Sequence, residues 1–418
     1  MQPGDFAFAD PQFEPDDYAN FTTAQKKGDA DLGRVNHPPL QPIPALRVTP
    51  PLMSLADVLP PARLSPYTGY ITFHMVGDTG GIIDPSHQFL VADKMVEDFD
   101  AASAPNPEDR PAFFYHLGDV VYYYGLDQYY YEQFYDPYRN YPAPIFAIPG
   151  NHDAVLPPNA SNSSLEAFCK HFCSASPAHA PEAQGMARTT MTQPGVYFTL
   201  KAPFLRIIGL YSNTQEGTGS GVIADNGVVG QAQKQFLIDQ LSSVREEAAG
   251  GFTGATVLAV HHPPFTMSSE HNPSPDMLAE IDDACQKAQF VPDIIASGHA
   301  HIYERYTRYV NGRQVPFLVA GCGGYPPQSN VKTRPPRPPV EGKDEKGNRV
   351  VLENFFDHMF GYLRLAVSGE ILSCEFVAVS DRSSPGKTLD RFTLDLKKHT
   401  LTGFQRPAAG ARQRTARR

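Results

Sequence analysis

Five short runs, 71–77, 112–118, 144–149, 256–260 and 293–297, are apolar along their length rather than alternating. A strand with one wet face alternates, so unbroken apolar strands require a helix layer or a second sheet on both faces. Between them lie segments with apolar residues at helical spacing, His87–Phe99, Gln231–Ala248 and Asp276–Gln289. Alternating strands and helices of this kind predict an α/β fold.

Each run also ends the same way, on a glycine or small residue followed by oxygen or imidazole donors. The five blocks are Gly77-Asp78-Thr79-Gly80, Gly118-Asp119-Val120-Val121-Tyr122, Gly150-Asn151-His152-Asp153, Val260-His261-His262 and Gly298-His299-Ala300-His301. In open α/β sheets the carboxyl ends of the strands form the ligand-binding rim. One Gly-Asp is an ordinary turn or helix cap. Five donor-rich blocks in order at five strand ends instead point to one site. The two imidazoles of His299 and His301, spaced i, i+2, point the same way if the strand persists, and can serve two metals or one. Carboxylate, amide, phenol and imidazole donors without thiolates suit Fe, Mn or Zn rather than Ca. The chemistry that uses such a set is hydrolysis at a pair of metal ions bridged by a carboxylate.

Composition narrows the alternatives. The chain has 418 residues, 41% hydrophobic and 19% charged, with 26 Phe, 20 Tyr and no Trp. That is a soluble globular composition with a sizeable core. A net charge of −10 argues against a nucleic-acid-binding body and demands local positive charge, such as metal ions, at any phosphate site. Five cysteines cannot all pair and show no framework spacing. Cys169 and Cys173, i, i+4 on an expected helix, read as reduced thiols, with a small disulfide or zinc site as the alternative. No window is long and apolar enough for a membrane span. The start at Met1–Asp5 has neither basic residues nor an apolar run. A cytoplasmic location is the default expectation, secreted or periplasmic if the N-terminus is trimmed.

The five blocks together resemble the calcineurin-like metallophosphoesterase superfamily, over roughly Ile71 to Val379, and within it the purple acid phosphatase branch. Two details favour that branch. The first block has Gly80 where many members carry a ligating histidine, and Tyr122, three residues after Asp119, stands where the branch supplies a phenolate. The run Ile302-Tyr303-Glu304-Arg305 after the last block is similar to the same branch. The phosphoprotein phosphatases carry an Asp-Arg-Gly segment after the second block, where this chain has Tyr123-Tyr124-Gly125.

The resemblance implies a four-layer αββα sandwich, two mixed sheets flanked by helices, with a dimetal site at the sheet rim. It implies Fe(III) held by Asp78, Asp119, Tyr122 and His301, and Fe(II), Zn or Mn held by Asp119, Asn151, His261 and His299. The implied activity is hydrolysis of a small phosphate ester, most simply a phosphomonoester, by direct in-line attack of a metal-bound hydroxide on phosphorus. A phosphodiesterase or nucleotide hydrolase would use nearly the same site. A metal-holding binding protein without catalysis and an iron-dependent redox protein are readings from other classes. His152 is expected to contact phosphate or assist the leaving group, with Asp153 orienting it. His271 matches the spacing of a substrate-contacting histidine, although Glu270 replaces a second histidine there. His262 is expected behind the ligands rather than among them.

The rest of the chain is read as accessory. Residues 1–66 form a proline-rich N-terminal arm, 67–400 the catalytic domain, and 401–418 a basic tail expected to be disordered. Stretches 154–194, with one short helix at 164–172, and 324–349 are expected as inserted loops at the rim. Lys332, Arg334 and Arg337 either reach an anionic substrate or stay solvated. Oligomeric state is not legible.

Overall fold

The computed structural model describes residues 43–408 except 83, 103, 158–159, 213–230, 269–270, 272 and 327–335. Most of the arm, Lys332, Arg334 and residues 409–418 of the tail thus lie outside the described residues. The start of the tail, expected to be disordered, is ordered: Thr400–Thr402 pairs with Lys387–Asp395, and Arg406 reaches Glu375 at 3.0 Å. Sixteen strands are described: β1 (Leu52–Ser54), β2 (Tyr70–Val76), β3 (Phe114–His116), β4 (Ile145–Ala147), β5 (Phe198–Ala202), β6 (Leu205–Gly209), β7 (Ala255–Ala259), β8 (Ile294–Ser297), β9 (Tyr303–Val310), β10 (Arg313–Ala320), β11 (Val340–Lys343), β12 (Arg349–Phe356), β13 (Phe360–Ser368), β14 (Ile371–Val379), β15 (Lys387–Asp395) and β16 (Thr400–Thr402). The longer helices are α1 (Pro85–Glu97), α2 (Glu166–Phe172), α3 (Ala232–Ala249) and α4 (Pro275–Ala288).

Two mixed sheets result. One runs β1-β5-β6-β7-β8-β10-β9-β12-β11 and the other β16-β15-β14-β13-β2-β3-β4. Strands β2, β3 and β4 are parallel neighbours, as are β6, β7 and β8. Alternation along each strand sorts side chains into two cores. Ile71, Phe73 and Met75 of β2 meet Ile207, Val257 and Ala296 of the other sheet in one core. Ile208, Leu258 and Ile295 turn the other way, into the core that includes Leu237 and Leu241 of α3 and Ile281 of α4. Helix α1 lies against β13 and β14 of the second sheet. This is the expected αββα sandwich. Each fully buried aliphatic or aromatic side chain contributes ~1.5–3 kcal/mol relative to exposure.

Several strands depart from expectation. Within the proline-rich arm, Leu52–Ser54 adds an edge strand parallel to β5. The stretch 324–349, expected as loop, supplies β11, whose residues are all exposed. Such an edge strand has no buried face and so leaves no apolar alternation to read. The hairpin that turns at Asn311-Gly312 begins at Tyr303, so Tyr303-Glu304-Arg305 lie on β9.

At the rim the sheets are tied by backbone. Gly77 N–H donates to the Ala320 carbonyl at 2.9 Å, and Gly323 N–H to the Gly77 carbonyl at 3.1 Å.

Candidate metal centre

All seven expected ligands converge on this rim. Asp78 follows β2, Asp119 follows β3, and Asn151 opens a single turn, Asn151–Ala154, after β4. His261 follows β7; His299 and His301 follow β8. Asp78, Asp119 and His299 sit in the left-handed region, at φ 57°, 53° and 67°. Such backbone costs of order 1–3 kcal/mol and persists only where surroundings enforce it. Here it turns each side chain off its strand and onto the rim.

Two groups form around the carboxylates. Asp78 Oδ1 lies 3.2 Å from Tyr122 Oη and 3.5 Å from His301 Nε2, and the phenol lies 3.3 Å from that same nitrogen. Asn151 Oδ1 lies 3.1 Å from His261 Nε2 and 3.0 Å from His299 Nδ1. Asp119 Oδ2 approaches His261 Nε2 at 3.4 Å, and Asp119, His261 and His299 form one compact buried donor set. His299 N–H donates to Asp78 Oδ2 at 2.8 Å, which links the groups.

Hydrogen-bond arithmetic shows that this set calls for a cation. His261 Nδ1 faces the Leu117 carbonyl at 2.8 Å. A carbonyl only accepts, so Nδ1 carries the proton and Nε2 presents a lone pair. That lone pair points at the oxygens of Asn151 and Asp119, acceptor against acceptor. Something positive must stand between them, a proton or a metal ion. Burial opposes charge on His261, yet the Asp119 carboxylate overrides it and pushes the pKa up to about 10. Burial, joined by repulsion from Asp119, pushes Asp78 up to about 8. Burial would raise Asp119 too, but His261 and His152 hold it below the ordinary range. The donor set therefore fits a metal centre.

Tyr122 and Gly80 are sterically linked. A Cβ built at Gly80 would overlap the Tyr122 ring and the Gln133 amide oxygen. The position lacking a ligand is thus the space the tyrosine fills. Gln133 clamps the Tyr122 backbone, accepting its N–H at 2.8 Å and donating to its carbonyl at 2.7 Å. Tyr325 stacks on the Tyr122 ring at 4.1 Å and the His152 ring lies 4.4 Å away. Tyr325 also meets the His301 ring edge-on at 4.5 Å. Neither Gln133 nor Tyr325 is marked by a motif. The only hint in the sequence is the glycine-rich strand end Gly321-Cys322-Gly323-Gly324 before Tyr325.

The other candidate residues separate. His152 Nδ1 faces the Tyr123 carbonyl at 2.9 Å, so its proton sits there and Nε2 is left for other work. Asp153, expected to orient His152, has its carboxylate taken by backbone N–H groups of Val120, Val121 and Gly150. A buried carboxylate needs several donors, and here they come from two rim loops, so Asp153 ties loop to loop. The His152 ring is oriented by the Tyr123 carbonyl instead. His271 lies against His299, with ring centroids 4.0 Å apart, and 5.7 Å from His301. Ser212 Oγ accepts N–H groups from His261 and His262 and meets His262 Nδ1 at 2.9 Å. With its acceptor sites filled it donates to Nδ1, which places the His262 proton on Nε2 and leaves no lone pair for a metal.

Residues 71–303, more than half of the chain, match the family model described as calcineurin-like phosphoesterase. The chain belongs to the calcineurin-like phosphoesterase family. Its fold is similar to that of a purple acid phosphatase from yellow lupin (Lupinus luteus) seeds, at 16% identity and a TM-score of 0.53, covering 80% of this chain and 55% of that one. It is similar at the same TM-score to GAP50, titled the anchor in the inner membrane complex of Plasmodium, at 14% identity over 78% of this chain and 89% of that one. The phosphoesterase chain thus spans little more than half of the lupin protein. No curated protein matches it in sequence. No helix among the described residues is long and apolar enough to cross a membrane.

Proposed function

We propose that this phosphoesterase is a dimetal phosphomonoesterase of the purple acid phosphatase type, in which Asp119 would belong to the ligand sets of both ions. The observation that carries the reading is the Tyr122 phenol between Asp78 and His301, in the space that a side chain at position 80 would need. A phenolate is a hard, electron-rich donor that favours a trivalent ion, so Fe(III) is assigned to Asp78, Asp119, Tyr122 and His301. Asp119, Asn151, His261 and His299 are assigned to Fe(II), Zn or Mn.

Two ions bound there lower the pKa of water and neutralise charge on the phosphoryl oxygens. The chain's own residues do the rest. His261 and His299 face the second position, and the Leu117 carbonyl fixes the orientation of His261. His152, its Nδ1–H held by the Tyr123 carbonyl, acts as the imidazolium: it gives its Nε2 proton to the leaving oxygen and returns to the neutral ring. His271, lying against His299, contacts the phosphoryl group. Asp153 keeps the rim loops in register. The substrate is a small phosphate ester.

Elemental analysis combined with a visible spectrum tests the assignment. Iron-loaded protein is expected to be coloured and to lose that colour in Tyr122→Phe with iron retained. A colourless iron-loaded wild type would refute it. Turnover of p-nitrophenyl phosphate above bis-p-nitrophenyl phosphate separates monoesterase from diesterase.

A further inference from the structure

Glu304 is fully buried on β9, three residues after His301, and takes no part in the donor set. Its carboxylate is engaged from the segment that leads to His271. Oε1 accepts the Met267 N–H at 2.8 Å and the Tyr306 hydroxyl at 3.1 Å, and Thr266 donates to the same carboxylate. The hydrogen bonds continue along the segment. Thr266 Oγ1 accepts the Ser268 N–H at 3.0 Å, and Ser268 Oγ accepts the His271 N–H at 3.2 Å. The chain of contacts ends with the His271 ring against His299. The described part of the loop between β7 and α4 is thus held from the interior by a side chain of the strand following the site.

We infer that Glu304 is a positioning residue that seats His271 over the metal centre by holding the 266–268 segment. The inference rests on the phosphoesterase reading only for what His271 does once seated. A buried acceptor costs free energy unless it is satisfied, so the loop and the acid hold each other. Burial pushes the Glu304 carboxyl up to about 7, which makes an amide a fair replacement. Glutamine keeps an oxygen for Met267 and Tyr306.

The test combines amide hydrogen exchange with kinetics on the metal-loaded full chain. Glu304→Ala is expected to speed exchange across 266–271 by about tenfold or more. It should raise KM for p-nitrophenyl phosphate about tenfold while kcat and bound metal stay near wild type. Glu304→Gln should restore both. Ser268→Ala, which cuts only the last link and leaves the buried acid alone, should raise KM in the same direction and serves if Glu304→Ala fails to fold. The double variant with His271→Ala should be no worse than His271→Ala by itself. Unchanged exchange in Glu304→Ala, losses that multiply in the double variant, or no rescue by glutamine would overturn the inference. A wild type that holds metals and hydrolyses no phosphate ester would overturn the phosphoesterase reading, and the exchange data would still decide for or against Glu304.

Discussion

Two clusters among the described residues have the residue types of a metal site. Asp119, His261 and His299 lie at the rim; His171 of α2 and Glu182, both in the inserted segment, meet Asp127 of the preceding loop. They differ in how their hydrogen bonds close. At the rim the Nδ1 proton of His261 goes to Leu117, and Nε2 faces oxygens that call for a proton or a metal ion between them. In the other cluster Tyr135 meets His171 Nδ1 at 2.9 Å, and Nε2 meets Asp127 at 3.1 Å. A phenol can donate to Nδ1, so Nε2 carries the proton and donates to the carboxylate. Lys170 then supplies the positive charge, at 2.9 Å from Asp127 and 2.6 Å from Glu182. Donor types nominate both clusters, and the way their hydrogen bonds close tells them apart.

The largest expected break in this comparison is His261→Ala. It should remove bound metal from the second position and lower kcat by roughly 10³-fold, read by elemental analysis and p-nitrophenyl phosphate turnover. His171→Ala, the matched change in the other cluster, should leave the metal count and kcat at wild-type values. An equal loss of metal in both would end the distinction. Gly80→Ala should cost about 1–3 kcal/mol in urea unfolding by overpacking Tyr122 and Gln133, and should shift the visible band if iron is bound. A neutral result would show that the tyrosine and the missing side chain are independent.

A slower titration sharpens the contrast between buried charge that is answered and buried charge that is not. Burial raises Glu304 from 4.5 to about 7, so the folded state keeps a proton that the unfolded chain releases. Its contribution is most favourable below pH 4.5, declines as pH rises toward 7, and is constant above it. The full span is on the order of 3 kcal/mol. The stability of Glu304→Gln relative to wild type should therefore grow between pH 5 and pH 8, followed by thermal melting. The smallest effect is at Lys170, a half-exposed cation whose removal in Lys170→Met should cost less than about 1 kcal/mol. The same variant should admit Zn(II) to the Asp127 cluster, seen by calorimetry, where the wild type admits none. Zinc binding there by the wild type would break the comparison from the other side.

Much of this was legible before any coordinates. The apolar strands and their donor-rich ends placed Asp78, Asp119, Asn151, His261, His299 and His301 on one rim, because strand ends in parallel neighbours share a side. Tyr122 was legible through the gap at Gly80. The exposed strand β11 was not, since a strand without a buried face carries no alternation. Asp153 was misread because adjacency in sequence suggested a side-chain partner, whereas its carboxylate turns toward backbone N–H groups thirty or so residues earlier.

Sequence by itself thus determined an α/β fold with a donor-rich rim, since apolar period and residue type are local properties that survive without coordinates, and the sandwich was implied by the family resemblance. Only the tertiary structure decided which lone pairs remain free, which carboxylate bridges loops and which holds a histidine in place. Those outcomes depend on hydrogen bonds between distant residues, such as His261 to Leu117 and Glu304 to Met267. A hydrogen bond is directional and saturable, so which group is left over is settled only when all partners are in place.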